Sequence, residues 1–144
     1  DVTNDGKTLL HAACQKDPSD FNMYLFQYLL GLNKIDVNAK AGIYKRNIFH
    51  LACQYGNKEL VGFLLELEEM DATEKDTDGN NAEHIACMVE NYGIVKFLSD
   101  SYKFNFDEKN GQGKTLFDIF SEKEYYNNTE YTTEYIIALL KKEI

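Results

Sequence analysis

The sequence predicts an all-α fold built from repeated pairs of short helices. Residues 47–65, NIFHLACQYGNKELVGFLL, contain two apolar stretches separated by Gly56 and Asn57. A glycine followed by asparagine is typical of one helix ending and another beginning. A tetrapeptide of the first stretch recurs along the chain, as HAAC at 11–14, HLAC at 50–53 and HIAC at 84–87. Helix pairs this short bury their apolar faces only against neighbouring copies, so the repetition predicts a stack.

The spacing of the copies gives the length of the repeat. The interval from His50 to His84 equals the interval from His84 to Asp118. The interval from His11 to His50 is longer, so the first copy contains an insertion. A period of about 33 residues, with a turn before two helices, is the pattern of the ankyrin repeat. The chain therefore resembles the ankyrin-repeat family over nearly its whole length, with aspartate replacing histidine in the fourth copy.

The resemblance implies an ankyrin-repeat solenoid of stacked helix pairs with projecting β-hairpin fingers. Family repeats read roughly D-x-x-G-x-T-P-L-H-x-A-A, and residues 5–13, DGKTLLHAA, match except at Leu9, where the family prefers proline. By the same resemblance, Thr8 caps the first helix and His11 hydrogen-bonds within or between repeats. Since the chain opens inside a repeat, we expect a single domain, 1–144, that belongs to a longer chain. Its repeats are expected at about 5–37, 43–72, 78–106 and 112–144.

The first repeat holds the insertion. Residues 15–25 include Pro18, the only proline, among residues that favour turns and helix starts. After the insertion, the sequence predicts a second helix that is longer than its counterparts. The apolar residues of this helix are Phe21, Tyr24, Leu25, Tyr28 and Leu29.

The second repeat has the clearest helix boundaries. We expect helices from about Ile48 to Tyr55 and from about Lys58 to Leu65, with Asn47 as the N-cap of the first. Before them, residues 36–46 form the first complete finger, called finger 1 here. Lys45 occupies the glycine position of finger 1 and one extra residue lies beside it, so the shape of this tip stays open.

The third and fourth repeats follow the same order. Finger 2 is predicted at residues 71–81 and finger 3 at residues 104–114, and Asn81 takes the capping position of the third repeat. Residues 121–130 are expected to interrupt the last helix pair. Residues 131–144 then have the pattern of a terminal helix with one apolar face.

The charge and composition exclude several classes of protein. A net charge of −9, spread over the chain, argues against nucleic acid, because phosphates need a basic face. No apolar run is long enough to predict membrane insertion. Three cysteines and no visible secretion signal favour a reducing compartment. We therefore expect a monomer in the cytoplasm or nucleus, or in a host cytoplasm if the protein is a microbial effector.

The histidines of the repeated tetrapeptide do not predict a metal site. Equivalent positions on stacked helices lie about 8–10 Å apart, whereas zinc ligands lie within about 2.0–2.3 Å of the ion. We therefore expect His11, His50 and His84 to make structural hydrogen bonds.

The cysteines do not predict chemistry either. Cys14, Cys53 and Cys87 take a position that the family fills with alanine, so we expect buried, free thiols. Gly111-Gln-Gly113 lacks the preceding strand and the later glycine of a dinucleotide site, and is interpreted as a fingertip. With no nucleophile–base pair in view, we expect neither an enzyme nor a cofactor.

Asn38 has two interpretations. It lies in Asp36-Val-Asn-Ala39, with Leu30 eight residues before it, and so resembles the site that an asparaginyl hydroxylase modifies in many ankyrin repeats. We favour a structural role, in which the Asn38 side chain stabilises the base of finger 1 through hydrogen bonds. Hydroxylation stays open.

The solenoid shape predicts a protein-binding function, because such stacks offer an extended concave surface. One possible role is a targeting module of a larger or effector protein, which the start inside a repeat favours. The other is a stand-alone inhibitor or adaptor of the NF-kappa-B-inhibitor type, whose acidic charge would suit a basic target. The candidate partner-binding residues lie in the fingers or at the ends of first helices: Ile43, Tyr44, Arg46, Tyr55, Asn80, Met88, Gln112 and Lys114.

Overall fold

The computed structural model describes residues 9–14, 18–32, 36–101 and 107–123. Within these ranges, the chain forms seven α-helices and one short 3-10 helix, and no strand. The predicted all-α fold is therefore confirmed. The α-helices are α1 Leu9–Cys14, α2 Met23–Leu30, α3 Ile48–Tyr55, α4 Lys58–Leu65, α5 Ala82–Met88, α6 Tyr92–Ser101 and α7 Leu116–Lys123, and the 3-10 helix is Pro18–Asp20.

The helices form two rows. The first helices of the repeats, α1, α3, α5 and α7, pack side by side, and α1, α3 and α5 each contact their own second helix, α2, α4 or α6. All seven contribute buried apolar side chains to one core. Because each pair packs mainly against its neighbours, the fold is a linear stack of repeats.

Asparagine side chains start α3 and α5. The His50 N–H donates to Asn47 Oδ1 at 2.9 Å, and the Asn47 N–H donates to His50 Nδ1 at 3.1 Å. Asn81 and His84 make the same pair of hydrogen bonds, at 2.8 and 3.1 Å. These bonds satisfy N–H groups that a helix start leaves unpaired. Both predicted asparagine caps are confirmed.

Aspartate makes the corresponding pair in the fourth repeat. The Asp118 N–H donates to Thr115 Oγ1 at 3.2 Å, and the Thr115 N–H donates to Asp118 Oδ2 at 3.0 Å. The hydrogen bonds from Thr115 also hold the pKa of the Asp118 carboxyl below its usual value. Replacing histidine by aspartate therefore keeps the cap.

The prediction of a longer second helix in the first repeat was wrong. Helix α2 has 8 residues, as α4 does. Its fully buried side chain is Phe26, whose ring lies edge-on to Phe63 of α4, with the centroids 6.1 Å apart. Tyr24 and Tyr28 lie on the opposite side and are 85% and 68% exposed.

Several predictions concern residues outside the described ranges. These are the cap at Thr8, residues 104–106 of finger 3 and the terminal helix at 131–144. Helix α7 continues to Lys123, so residues 121–123 do not interrupt the last helix pair as predicted, and residues 124–130 lie outside the described ranges.

Candidate partner-binding surface

The three fingers are turns closed by backbone hydrogen bonds. In finger 1, Ala41 and Arg46 form an isolated β-bridge, with N–H to oxygen distances of 2.9 and 3.0 Å. Finger 2 closes through the Asp76 N–H and the Asn80 carbonyl at 2.9 Å. In finger 3, the Asn110 N–H donates to the Lys114 carbonyl at the same distance. The fingers are thus shorter than the predicted β-hairpins, with a single bridge and no ladder in the described residues.

Lys45 takes the backbone conformation of the glycine it replaces. Its φ is 53°, against 74° for Gly79 and 75° for Gly113 at the equivalent positions. Gly42, also at positive φ, follows Ala41 of the β-bridge, and finger 1 has one residue more between its closing residues than finger 2. The tip therefore keeps its left-handed turn despite the missing glycine.

Neighbouring fingers pack backbone against backbone. The Thr77 N–H donates to the Tyr44 carbonyl at 2.7 Å, and the Gly111 N–H donates to the Asp78 carbonyl at 2.9 Å. A Cβ atom added at Gly79 would lie 2.6 Å from the Gly111 nitrogen. These contacts hold the three fingertips in one row, which forms one edge of the stack.

A polar network lies behind this edge. Arg46 Nε donates to Asp76 Oδ2 at 3.1 Å, and its Nη1 donates to Gln54 Oε1 at 2.9 Å. Asp76 Oδ1 accepts from two N–H groups of its own turn, one of them that of Asn80. Asn80 Oδ1 in turn accepts from Asn110 Nδ2 at 2.9 Å. The network therefore joins all three fingers.

Two candidate residues belong to this network instead of the free surface. Asn80 is 2% exposed, so the expectation that it contacts a partner directly was wrong. Arg46 is ion-paired with the fully buried Asp76 carboxylate, and its guanidinium lies 4.7 Å from the centre of the Tyr44 ring. It fixes finger 1 in place and presents Tyr44 beside it.

The histidines of α1, α3 and α5 make the predicted structural hydrogen bonds, and each of these bonds reaches a finger. His50 and His84 accept backbone N–H groups at Nδ1, so Nε2 carries the proton and donates to the carbonyls of Glu74 at 2.8 Å and Glu108 at 2.9 Å. His11 Nε2 lies 3.2 Å from the Arg46 carbonyl. Burial lowers the pKa of His50 and His84, which favours the neutral ring that these bonds require.

A family model of ankyrin repeats, in 3 copies, matches residues 19–110, which is more than half of the chain. The chain belongs to the ankyrin-repeat family. Ankyrin repeats are generally protein–protein interaction modules. No curated protein sequence matches the chain significantly.

The remaining candidates lie at the surface of the ankyrin stack. Ile43 is 82% exposed at the tip of finger 1, and Tyr44, Tyr55, Met88 and Gln112 are also exposed. Lys114 is partly buried and forms an ion pair with Glu122 at 2.7 Å. Two further apolar residues of the first helices and their turns, Val89 and Phe117, are exposed and were not among the predicted candidates. The repeat spacing could have identified Val89, which lies one repeat length after Tyr55.

All three cysteines are buried and none forms a disulfide, as their alanine position predicts. Burial raises the pKa of the Cys14 thiol to about 12 and that of Cys53 well above its usual value. A buried thiol with a raised pKa is a poor nucleophile. Across the described ranges, no three histidine, cysteine or acidic side chains come together as a possible metal site. Those ranges also contain no helix long and apolar enough to cross a membrane.

Glu83 is a buried titratable residue that the sequence analysis missed. It lies in the first turn of α5 and is 2% exposed. Burial, reinforced by the nearby Glu108 carboxylate, raises the pKa of Glu83 to about 7. Its position just before His84 corresponds to Phe49 in the preceding ankyrin repeat, and this correspondence would have predicted its burial.

Asn38 makes the hydrogen bonds expected of a structural residue. Its Nδ2 donates to the Glu69 carbonyl, and its Oδ1 accepts from the Asp71 N–H at 2.8 Å. The side chain thus joins the bases of two consecutive ankyrin fingers. Hydroxylation of Asn38 stays the less favoured alternative.

Proposed function

We propose that this ankyrin-repeat domain binds a partner protein through finger 1 and the exposed ends of its first helices. The observation that carries the proposal is Ile43, an isoleucine exposed over most of its surface on a turn held by fixed polar contacts. A large apolar side chain in this position gains nothing from the stack itself. Functional residues are often found on loops that a rigid scaffold positions.

The fixed conformation of finger 1 supports the same binding role. Hydrogen bonds from Arg46 to Asp76 and Gln54, and from the Thr77 N–H to the Tyr44 carbonyl, fix the tip before any partner arrives. Binding therefore requires little further ordering, which favours affinity.

The exposed first-helix residues extend the surface. Tyr55, Met88 and Val89 lie at the C-terminal ends of α3 and α5 or just beyond them, and each is more than a third exposed. Aromatic residues and methionine are enriched in interfaces. With Ile43 and Tyr44, they would form the contact surface, and Gln112 and Lys114 would lie at its margin.

In the cell, we propose that the domain is the targeting module of a larger or effector protein. The net charge of −9 supports a second candidate, a stand-alone inhibitor or adaptor with a basic target. The mass of the natural protein separates them: a chain much longer than 144 residues supports the module.

Affinity capture from the source cell, compared between variants, tests the contact surface. Ile43→Ser and Tyr44→Ala should each weaken binding of the captured protein by about 1 kcal/mol or more, with the melting temperature nearly unchanged. Asp100→Ser, at an exposed position of the second helix α6, lies outside the proposed contact residues, serves as the control and should bind normally. Normal binding by both finger variants would place the contact elsewhere.

A further inference from the structure

Helix α2 and its C-terminal turn carry an exposed apolar stripe that the finger surface does not include. Tyr24 and Tyr28 lie four residues apart on α2, with Leu25 beside them, so these three share one helical face, and Leu32 follows in the turn after the helix. All four are exposed. A contiguous exposed apolar surface of this kind marks an interaction site.

Comparison with α4 shows what this face is suited to contact. Leu25 and Tyr28 are the third and sixth residues of α2, and Leu60 and Phe63 hold those positions in α4. Leu60 is fully buried, and the Phe63 ring packs edge-on against α2. Leu25 and Tyr28 of the α2 stripe therefore occupy positions that, in α4, are buried or pack against a neighbouring helix.

The stripe leads into a cavity with an acidic rim. Leu32 lines an open cavity of about 390 Å³ between the first two repeats. No ion pair within the described part of the chain involves its two carboxylates, Asp36 and Glu69. The other lining residues are Leu30, Val37, Asn38 and Leu67.

The two segments that contain the stripe and the cavity residues are rich in acidic residues, which favours a basic partner. Residues 18–38 and 58–71 together contain seven aspartates and glutamates and two lysines. A second copy of this chain would bring a surface with the same negative charge, and the two would repel each other. A basic partner would instead be attracted by the same carboxylates.

We propose that the α2 stripe and the adjoining cavity form a second docking site, for a partner-protein helix whose apolar face is flanked by lysine or arginine. The apolar face packs along Tyr24, Leu25, Tyr28 and Leu32, and one apolar side chain enters the cavity. The basic side chains pair with Asp36 and Glu69. An amphipathic helix on an apolar groove is an established recognition mode, and this one is independent of finger 1.

Binding of a model peptide to the 144-residue chain tests the site. The probe is a fluorescently labelled amphipathic helix of about 18 residues, with leucines on one face and lysines flanking them. The matched control peptide has glutamate in place of each lysine. We expect the lysine peptide to bind with an affinity that falls as salt is added, and the glutamate peptide to bind at least about tenfold more weakly.

Variants then locate the binding. The double variant Tyr24→Ser/Tyr28→Ser should raise the Kd of the lysine peptide about tenfold or more. Asp36→Asn/Glu69→Gln should also raise the Kd and reduce its salt dependence. Ile43→Ser, in finger 1, should leave the Kd of the lysine peptide unchanged. Failure of the α2 site can therefore be distinguished from failure of the finger 1 surface. Circular dichroism establishes that each variant is folded.

Four outcomes would overturn the proposal. One is the absence of binding by the lysine peptide, and another is equal affinity for both peptides. A third is unchanged binding by the folded tyrosine variant. The last is a dimer in sedimentation that Tyr24→Ser/Tyr28→Ser dissociates, since that would assign the stripe to a second copy of this chain.

Discussion

Glu83 places a titratable carboxyl at a buried position of its repeat. Phe49 holds the equivalent position in α3, and both side chains are buried. Burial of a carboxyl disfavours its charged form, and the Glu108 carboxylate adds to this effect, while a hydrogen bond from the backbone opposes it. Near neutral pH, the folded chain therefore holds this carboxyl only partly ionised.

Replacing Glu83 by glutamine should stabilise the protein at alkaline pH. The folded-state pKa of about 7 lies above the ordinary 4.5, so this residue loses stabilising free energy as the pH rises through that interval. We expect Glu83→Gln to raise the free energy of unfolding by about 1–3 kcal/mol near pH 8 and to change it little near pH 4.5. Urea unfolding at both pH values measures this. The exposed Glu59→Gln is the control, and an equal effect of Glu83→Gln at the two pH values would contradict the explanation.

At the scale of the elements, the ion pair of Arg46 and Asp76 links finger 1 to finger 2. The Asp76 side chain is fully buried, and Arg46 is its charged partner. Removing the arginine leaves a buried carboxylate without that partner. Arg46→Ala should therefore cost about 3 kcal/mol of stability.

A double-mutant cycle separates this pairing from a loss of packing. Arg46→Ala in the Asp76→Asn background should cost clearly less than it does in the native chain, because no buried charge is then left. Denaturant unfolding of the four proteins gives the coupling free energy. A coupling near zero would mean that Arg46 contributes through its contact with Tyr44 or Gln54.

The bounds of α3 and α4 could be predicted from the sequence because their signals are local. Asn47, Gly56 and Asn57 mark the helix ends within a few residues, and both helices have the predicted bounds. The buried face of α2 could not be predicted in this way, since it depends on Phe63 in the next repeat. Because of the insertion before α2, the repeat spacing alone does not align the residues of α2 with those of α4.

The candidate surface was predictable only in part, for a similar reason. Exposure of Ile43 follows from its place at a fingertip. Burial of Asn80 depends on Asn110, which is distant in sequence and reaches it only when the fingers pack together. In a stack of repeats, local sequence defines each helix, but the neighbouring repeat decides which polar residues remain free.

Across the whole molecule, the buried histidines make stability depend on pH. Burial lowers the pKa of His50 and His84 below the ordinary 6.5. Their contribution to stability is therefore fully present above pH 6.5 and is lost as the pH falls through their folded-state values. Glu83 acts in the opposite direction between about pH 7 and 4.5, so it masks part of this loss.

The Glu83→Gln background reveals the histidine effect. In that protein, the free energy of unfolding should fall below pH 6.5 with a slope of up to about 1.4 kcal/mol per pH unit for each histidine. Adding His84→Gln should lower stability at all pH values and also reduce the slope. Asp71 and Glu108, whose pKa values hydrogen bonds lower, act below about pH 4.5 and leave this window clear. Urea unfolding at closely spaced pH values gives the slopes, and an unchanged slope would mean that His84 does not link proton binding to folding.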